Sequence, residues 1–353
     1  MSGSILSIDA GTTGVTAVVV SDSGDIVAKG YQEFAQHFPK PGWVEHAPEE
    51  IWQATLEATR DALKQVDASP LRGIGITNQR ETVLLWDRET LGSPRRAIVW
   101  QDRRTADICV RMREEGHEER ITELTGLRLD PYFSGTKLRW LAEQEPRTWG
   151  LVEEGRYAVG TVDSYLIARM TRGLHHVTDV SNASRTLLFD LTTGDWSDEL
   201  CGLFGVPRDA LPDLVPSWGD IAVSDPRSFL DLELPMSQVK AILVLHHSDE
   251  PIMITDIADR LRLSIATAGR TVDHLVREGL ASRTEDPDDR RVKRVEITSA
   301  GREIAEQHFE SHRANLRALC SGLSDDEATR LVDAMRPLIA AVDSTTTEQE
   351  TPA

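Results

Sequence analysis

The pattern of the sequence changes near Ile221, and that seam constrains the fold more than any other feature. Upstream, short apolar runs end in glycine loops and polar clusters, the layout of an α/β domain whose strand ends deliver a site. Downstream, short amphipathic helices precede a charged hairpin. A chain of 353 residues is long enough for each side to bury its own core. The expected organisation is a first domain over residues 1–220, a junction over 221–231, a second domain over 232–342 and a disordered Thr/Glu/Pro-rich tail over 343–353.

Composition removes several function classes. Hydrophobic residues make up 40% and charged residues 27%, ordinary for a soluble globular protein. No apolar run is long enough for a membrane span, and the N-terminus lacks the basic and apolar regions of a secretory signal. Cys109, Cys201 and Cys320 are scattered without a CxxC pair, which suits buried thiols in a reducing cytoplasm better than a disulfide frame. The His pairs at 175–176 and 246–247 have no partners at metal-ligand spacing, so no structural metal is expected. Net charge is −19, with 34 acidic against 23 basic residues in 1–221 and 24 against 16 in 222–353. Both sides are acidic, so any contact with nucleic acid must come from a local basic patch.

In the first side, residues 4–9 form a short apolar strand that runs into Ala10-Gly11-Thr12-Thr13-Gly14, with a second strand over 15–20 and a third over 25–34. In such a hairpin turn Gly11 and Gly14 let the backbone approach phosphate oxygens, while amides and the Thr12 and Thr13 hydroxyls donate. Asp9, at the strand end, can hold Mg²⁺ through water. A plain glycine hairpin explains this loop equally well by itself. Residues 71–77 then deliver Asn78-Gln79-Arg80-Glu81, residues 97–104 end in Trp100-Gln101-Asp102-Arg103-Arg104, and Asp130-Pro131-Tyr132-Phe133 follows a helical stretch. An Arg–Glu pair beside an indole and a phenol suits a polyol: carboxylate accepts, guanidinium donates, and rings cover the C–H edges.

At these residues, and at Gly42-Trp43-Val44-Glu45, Gly160-Thr161-Val162-Asp163-Ser164-Tyr165 and Val177 through Thr186, the sequence resembles the glycerol kinases of the FGGY carbohydrate-kinase family. The resemblance runs from about residue 4 to about 219. It implies an α/β ribonuclease-H-like (actin-like ATPase) domain, with polyol and Mg-ATP in a cleft against a second such domain. It further implies that Arg80, Glu81 and Tyr132 bind glycerol hydroxyls, that Trp100 walls the pocket, that Gly11, Thr12, Thr13 and Gly14 face ATP phosphates, and that Asp9 faces the metal. Gly14-Val15-Thr16 stands where the family often carries Ser-Ser-Arg, so an Arg toward the nucleotide is missing. The family's Gly-Asp-Gln base motif and second domain do not follow Asp220. No catalytic residue is therefore assigned, Mg-ATP binding is expected to be weak, and the half alone is expected to be inactive, because phosphoryl transfer depends on positioning from both sides of the substrate.

In the second side, residues 230–245 show helical spacing, and Thr255 stands as N-cap for a helix over 256–261 with Ile257, Ala258 and Leu261 inward. Leu263-Ser264 makes a turn into a helix over 265–278 that Gly279 stops; Val272, Leu275 and Val276 form its buried stripe and Ser264, Ala266, Thr267 and Arg270 its outer N-terminal face. That is a helix-turn-helix with its recognition helix second. Strands over 280–284 and 292–297 flank Asp286-Pro287-Asp288-Asp289-Arg290-Arg291, a wing able to reach a minor groove. These residues resemble the MarR family of transcriptional regulators, from about 232 to 342. The resemblance implies an α+β winged helix-turn-helix domain that binds double-stranded DNA, a wing Asp289 bracing Arg291 with Arg290 alongside, and homodimerisation through helices over 302–319 and 325–342. Most of the family's first helix is missing, and Gly269 within the recognition helix costs about 1 kcal/mol of helix stability relative to Ala.

The expected function is therefore a cytoplasmic MarR-type regulator fused to a truncated kinase half that is either a sensor of a polyol such as glycerol or a relic. The alternatives are glycerol phosphorylation completed by another chain, and an accidental fusion in which neither half works.

Overall fold

The computed structural model describes residues 3–66, 71–219, 234–248, 250–261, 263–285 and 293–306, together with seven single positions between 309 and 336. Three strands open the fold: β1 (Ser4–Ala10), β2 (Gly14–Val20) and β3 (Ile26–Glu33). β1 and β2 pair antiparallel from Ile5↔Val20 to Ala10↔Val15, so residues 11–13 form the hairpin tip the sequence calls for. The strand Leu71–Asn78 joins the other side of β1 in parallel, giving the order β3, β2, β1, Leu71–Asn78.

One face of this sheet is covered by helix α1 (Pro48–Leu63). Pro48 is pre-set for the first turn, and Glu49 and Glu50 complement the helix dipole there. The helix buries Ile51, Trp52 and Leu56 against Leu6, Ile8, Val15 and Val19, each worth about 1.5–3 kcal/mol of transfer free energy. Approach is close enough at one point to require glycine: a Cβ on Gly30 would lie 2.0 Å from the Ala58 carbonyl oxygen.

The other face is not covered in the same way. The period-2 alternation and the register align Ile5, Val20, Ile26 and Gly73 in one row, Ser7, Val18, Lys29 and Gly75 in the next, and Asp9, Thr16, Tyr31 and Thr77 in the third. Ile5 is 51% and Ile26 66% exposed, and a Cβ on Gly73 or Gly75 would meet open space. This face grades from apolar at one end to Asp9 at the other.

A second core of the first half packs the helices Ala106–Glu114, Glu118–Thr125 and Ser134–Gln144 with Trp149, Leu188 and Phe204, beneath the antiparallel strands Leu84–Asp87 and Tyr157–Gly160. Cys109 and Cys201 are buried here as free thiols, and burial pushes both thiols up, to about 12 and about 11. No described helix is long and apolar enough to cross a membrane.

The second half has its own core of Ala241, Ile242, Leu245, Ile257, Val272, Leu275, Val295 and Ile297. Helices Met236–His246, Ile254–Leu261 and Ile265–Arg277 surround a sheet ordered Ile252–Met253, Lys293–Ile297, Ala281–Glu285. Three local expectations change. The middle helix starts at Ile254, so Thr255 lies inside it, and the Asp256 carboxylate takes over the cap by accepting from the Met253 amide at 3.1 Å. Leu261 and Val276 are half-buried, since the short helices wrap a core too small to enclose their full stripes. The first helix begins at Met236, behind Pro235. The junction 220–233, the wing tip 286–292, most of the two C-terminal helices, Cys320 and the tail lie outside the described residues.

Candidate functional site

The first-half site is assembled by bonds between segments far apart in sequence. Glu81 follows directly on the strand Leu71–Asn78 and its loop, and adopts a left-handed φ of 63°. That conformation is costly for a residue with a Cβ, about 1 kcal/mol or more, and two contacts hold it: the Ser134 hydroxyl donates to the Glu81 carbonyl at 3.2 Å, and Arg185 Nε donates to the Glu81 carboxylate at 2.8 Å. Glu81 is 2% exposed, so the pairing with Arg185 is what keeps a buried carboxylate compensated.

Arg185 also lies over the rings of Tyr132 and Phe133, at 5.9 and 4.9 Å from their centroids. Tyr132 meets Trp100 edge to face at 5.4 Å. The Trp100 indole N–H donates to the Thr12 hydroxyl at 3.1 Å, which ties the polyol side to the glycine hairpin. Trp100 therefore touches both sets of candidate residues. It fixes the distance between the candidate polyol residues and the candidate phosphate loop. Arg80 is exposed beside Glu81 and has no hydrogen-bond or ion-pair partner among the described residues.

The Tyr132 loop is held from below by Lys137, whose buried ammonium donates to the carbonyls of Pro131, Tyr132 and Phe133 at 2.8, 2.6 and 3.2 Å. Burial pulls this ammonium down to about 7, against the opposing pull of Asp102 and Glu81. Asp130 completes the loop by accepting from the Tyr132 amide at 2.9 Å.

The hairpin tip is equally tied down. Gly11 N–H donates to the Gly14 carbonyl, and Gln79 reaches across with its amide to the Ala10 carbonyl and its side chain to the Gly11 carbonyl, at 2.9 and 3.1 Å. Gln79 in turn pairs with Nδ1 of His46, a fully buried ring that burial and then His37 push down to about 4, so it is neutral at pH 7. Gly14 is obligatory, because a Cβ there would sit 2.6 Å from the Gln32 carbonyl and 2.8 Å from the Tyr31 hydroxyl. Thr13 and Asp9 are exposed. Free hydroxyl and amide donors on a glycine turn, with one carboxylate at the strand end, form a donor set that fits a phosphate and its magnesium. Among the described residues no three His, Cys, Asp or Glu side chains cluster to hold a metal ion.

Sequence reasoning missed Arg185, Lys137 and the Asn182–Asp179 pair. Asn182 donates to Asp179 and accepts from Asn78 at 3.0 Å, joining the strand end to the helix Val180–Ala183. Burial works against the Asp179 charge, yet bonds from Ser217 and Asn182 hold its carboxyl below the usual range. A charged residue inside the 177–186 motif was the available signal for Arg185; Lys137 carried none, because its partners are backbone carbonyls.

In the second half, Ser264 caps the recognition helix by accepting from the Thr267 amide at 3.2 Å, and Ser264, Ile265 and Ala266 are exposed. Thr267 corrects the sequence reading. It is 7% exposed, with its hydroxyl engaged by Ser264 and Arg270, so it does not lie on the open face. Arg270 is half-buried and pairs with Glu89 of the first half at 3.3 Å. Gly269 has open space at its Cβ position, so packing gives no reason for it. Asp289, Arg290 and Arg291 lie outside the described residues; the strands on either side of that segment pair from Ala281↔Ile297 to Glu285↔Lys293.

Comparison with known proteins divides the chain between residues 231 and 234. Residues 4–231 match the FGGY family of carbohydrate kinases, N-terminal domain, and residues 234–293 match the MarR family. The glycerol kinase of Rhodopseudomonas palustris is 53% identical over 227 residues, which are 64% of this chain and 45% of that protein. The glycerol kinase of Methylobacterium nodulans is 52% identical over the same shares. Among solved structures, the Plasmodium falciparum glycerol kinase with ADP superposes with a TM-score of 0.61 at 28% identity, over 69% of this chain and 51% of that one. The chain thus spans about half the length of the curated relatives it matches. Through residues 4–231 it belongs to the FGGY family of carbohydrate kinases, with a MarR-family segment fused behind that domain.

Proposed function

We propose that this chain is a DNA-binding regulator of MarR type whose kinase half serves as a polyol-sensing domain and not as an enzyme. The observation that carries the reading is the exposed, Ser264-capped start of an amphipathic recognition helix beside a two-stranded wing. Such a helix end enters a major groove, while wing arginines Arg290 and Arg291, braced by Asp289, address the minor groove. Ser264, Ala266 and Arg270 are the base-side candidates. Thr267 would have to be uncovered first. The working units are residues 1–220 and 232–342, and two copies pair through the C-terminal helices.

The kinase half retains a polyol pocket of Arg80, Glu81, Trp100 and Tyr132, to which Arg185 is added. Open on the side where a facing domain would stand, it binds glycerol at millimolar affinity or weaker, about −4 kcal/mol. Asp9 and the 11–14 turn would hold magnesium and the phosphates of ATP weakly; when bound, that group supplies the transferable phosphoryl. A second reading is favoured by the uncovered sheet face bearing Ile5, Ile26, Gly73 and Gly75: another polypeptide completes the kinase there.

Sedimentation followed by salt titration of binding to palindromic duplexes tests the main reading. A dimer is expected, with affinity falling steeply in salt, by a slope of about −0.9 per phosphate neutralised. A strictly monomeric protein, or an Arg291→Ala variant that binds as well as the parent, would overturn it.

A further inference from the structure

Among the described residues, hydrogen bonds join the candidate recognition helix and its neighbour to Glu89 of the kinase half. Glu89 lies in the turn after the strand Leu84–Asp87. Its carboxylate receives Arg270 of the recognition helix at 3.3 Å, and its carbonyl receives the hydroxyl of Ser237, from the helix Met236–His246, at 2.7 Å. Two elements of the second half thus close on a single residue of the first.

The turn that presents Glu89 is rigid. One Asp87 carboxylate oxygen accepts from the amides of Glu89 and Thr90 at 2.9 and 3.1 Å, and the other from Arg156 at 2.9 Å. The Asp87 amide and carbonyl close the loop on Gly92 and Leu91. Glu89 is therefore preorganised, and little chain entropy is lost when Arg270 docks on it. On the helix side Arg270 also donates to Thr267 at 3.0 Å, and its Nε is buried without a partner. Thr267 is buried and Arg270 half-buried, while Ser264, Ile265 and Ala266, one turn earlier, are open.

We infer that the kinase half masks the recognition helix, with Glu89 occupying the Arg270 guanidinium that DNA would otherwise receive. This rests on the DNA-binding reading above. Docking in the major groove and docking on Glu89 exclude each other for two reasons. A groove about 12 Å wide admits a helix but not a helix with the 87–92 turn against its flank. A carboxylate next to Arg270 would also face the phosphates with like charge. Binding DNA therefore requires the two halves to separate at this contact, and any event that loosens the turn raises DNA affinity.

The test uses the full chain, a pool of random-sequence 30-base-pair duplexes and four variants: Glu89→Ala, Glu89→Gln, Arg270→Ala and, as a control for net charge, the remote exposed Glu57→Ala. Glu89→Ala and Glu89→Gln are expected to bind the pool roughly two- to fivefold more tightly than the parent, the range of a part-exposed ion pair. Glu57→Ala is expected to leave affinity unchanged and Arg270→Ala to lower it. In the absence of DNA, amide hydrogen exchange over residues 265–277 should quicken in both Glu89 variants. Equal affinity gains in the Glu57 and Glu89 variants would overturn the masking, as would unchanged exchange. If no variant binds duplex while exchange still quickens, the DNA-binding reading is what fails, and the masking falls with it.

Discussion

The candidate polyol site and the candidate recognition helix present their functional groups in opposite ways. In the pocket, Glu81, Arg185, Tyr132, Trp100 and Thr12 come from five separate stretches of chain, and each is held by another member of the set. On the recognition helix, Ser264 to Arg270 are neighbours in sequence, and the helix itself places them. A small polar ligand needs convergence from several directions, so its site exists only when the tertiary fold is complete. A groove reader needs one face of one helix, so its site is nearly local.

The largest effect expected from this contrast is on turnover. With glycerol and Mg-ATP, the chain alone should form glycerol 3-phosphate at least about a thousandfold more slowly than a full-length glycerol kinase, since alignment of donor and acceptor is most of the catalysis. A rate within about tenfold would mean that half a cleft suffices and would break the comparison.

Next in size is the bond that assembles the pocket. Arg185→Leu leaves Glu81 buried and unpaired in a left-handed conformation, at a cost of about 3 kcal/mol. Calorimetry should show the first-half transition lowered by several degrees and the second-half transition unmoved. A shift in both would mean that the cores do not unfold independently.

Acid should separate the halves more gently. Burial pushes His46 and His176 down from 6.5 to about 4. Between pH 6.5 and 4 the unfolded chain therefore binds protons that the folded chain refuses, so stability falls on acidification, by about 2 kcal/mol per histidine at pH 4.5. Melts from pH 7 to 4.5 should show the loss in the first half, and His176→Gln should flatten it. An unaltered slope in that variant would remove His176 from the account.

Much of this was legible without coordinates, and the reasons differ by element. The seam, the β1–β2 hairpin and the capped recognition helix follow from periodicity, glycine and a Ser cap, which act over a few residues. The candidate polyol residues Arg80, Glu81, Trp100 and Tyr132 were nameable because they are polar or aromatic residues at strand and loop ends. Arg185 and Lys137 escaped, since their roles depend on a carboxylate 104 residues away and on carbonyls that face them only after folding. Thr267 was misplaced for a related reason: helical geometry says which face it shares, not what covers that face. The local code thus set the elements, the fusion of two domains and the chemical character of each site. Long-range contact alone determined which charges are paired, which face of the sheet is left open, and that Glu89 of the first half meets Arg270 of the second. Such pairings depend on distances between segments remote in sequence, and no local spacing encodes those distances.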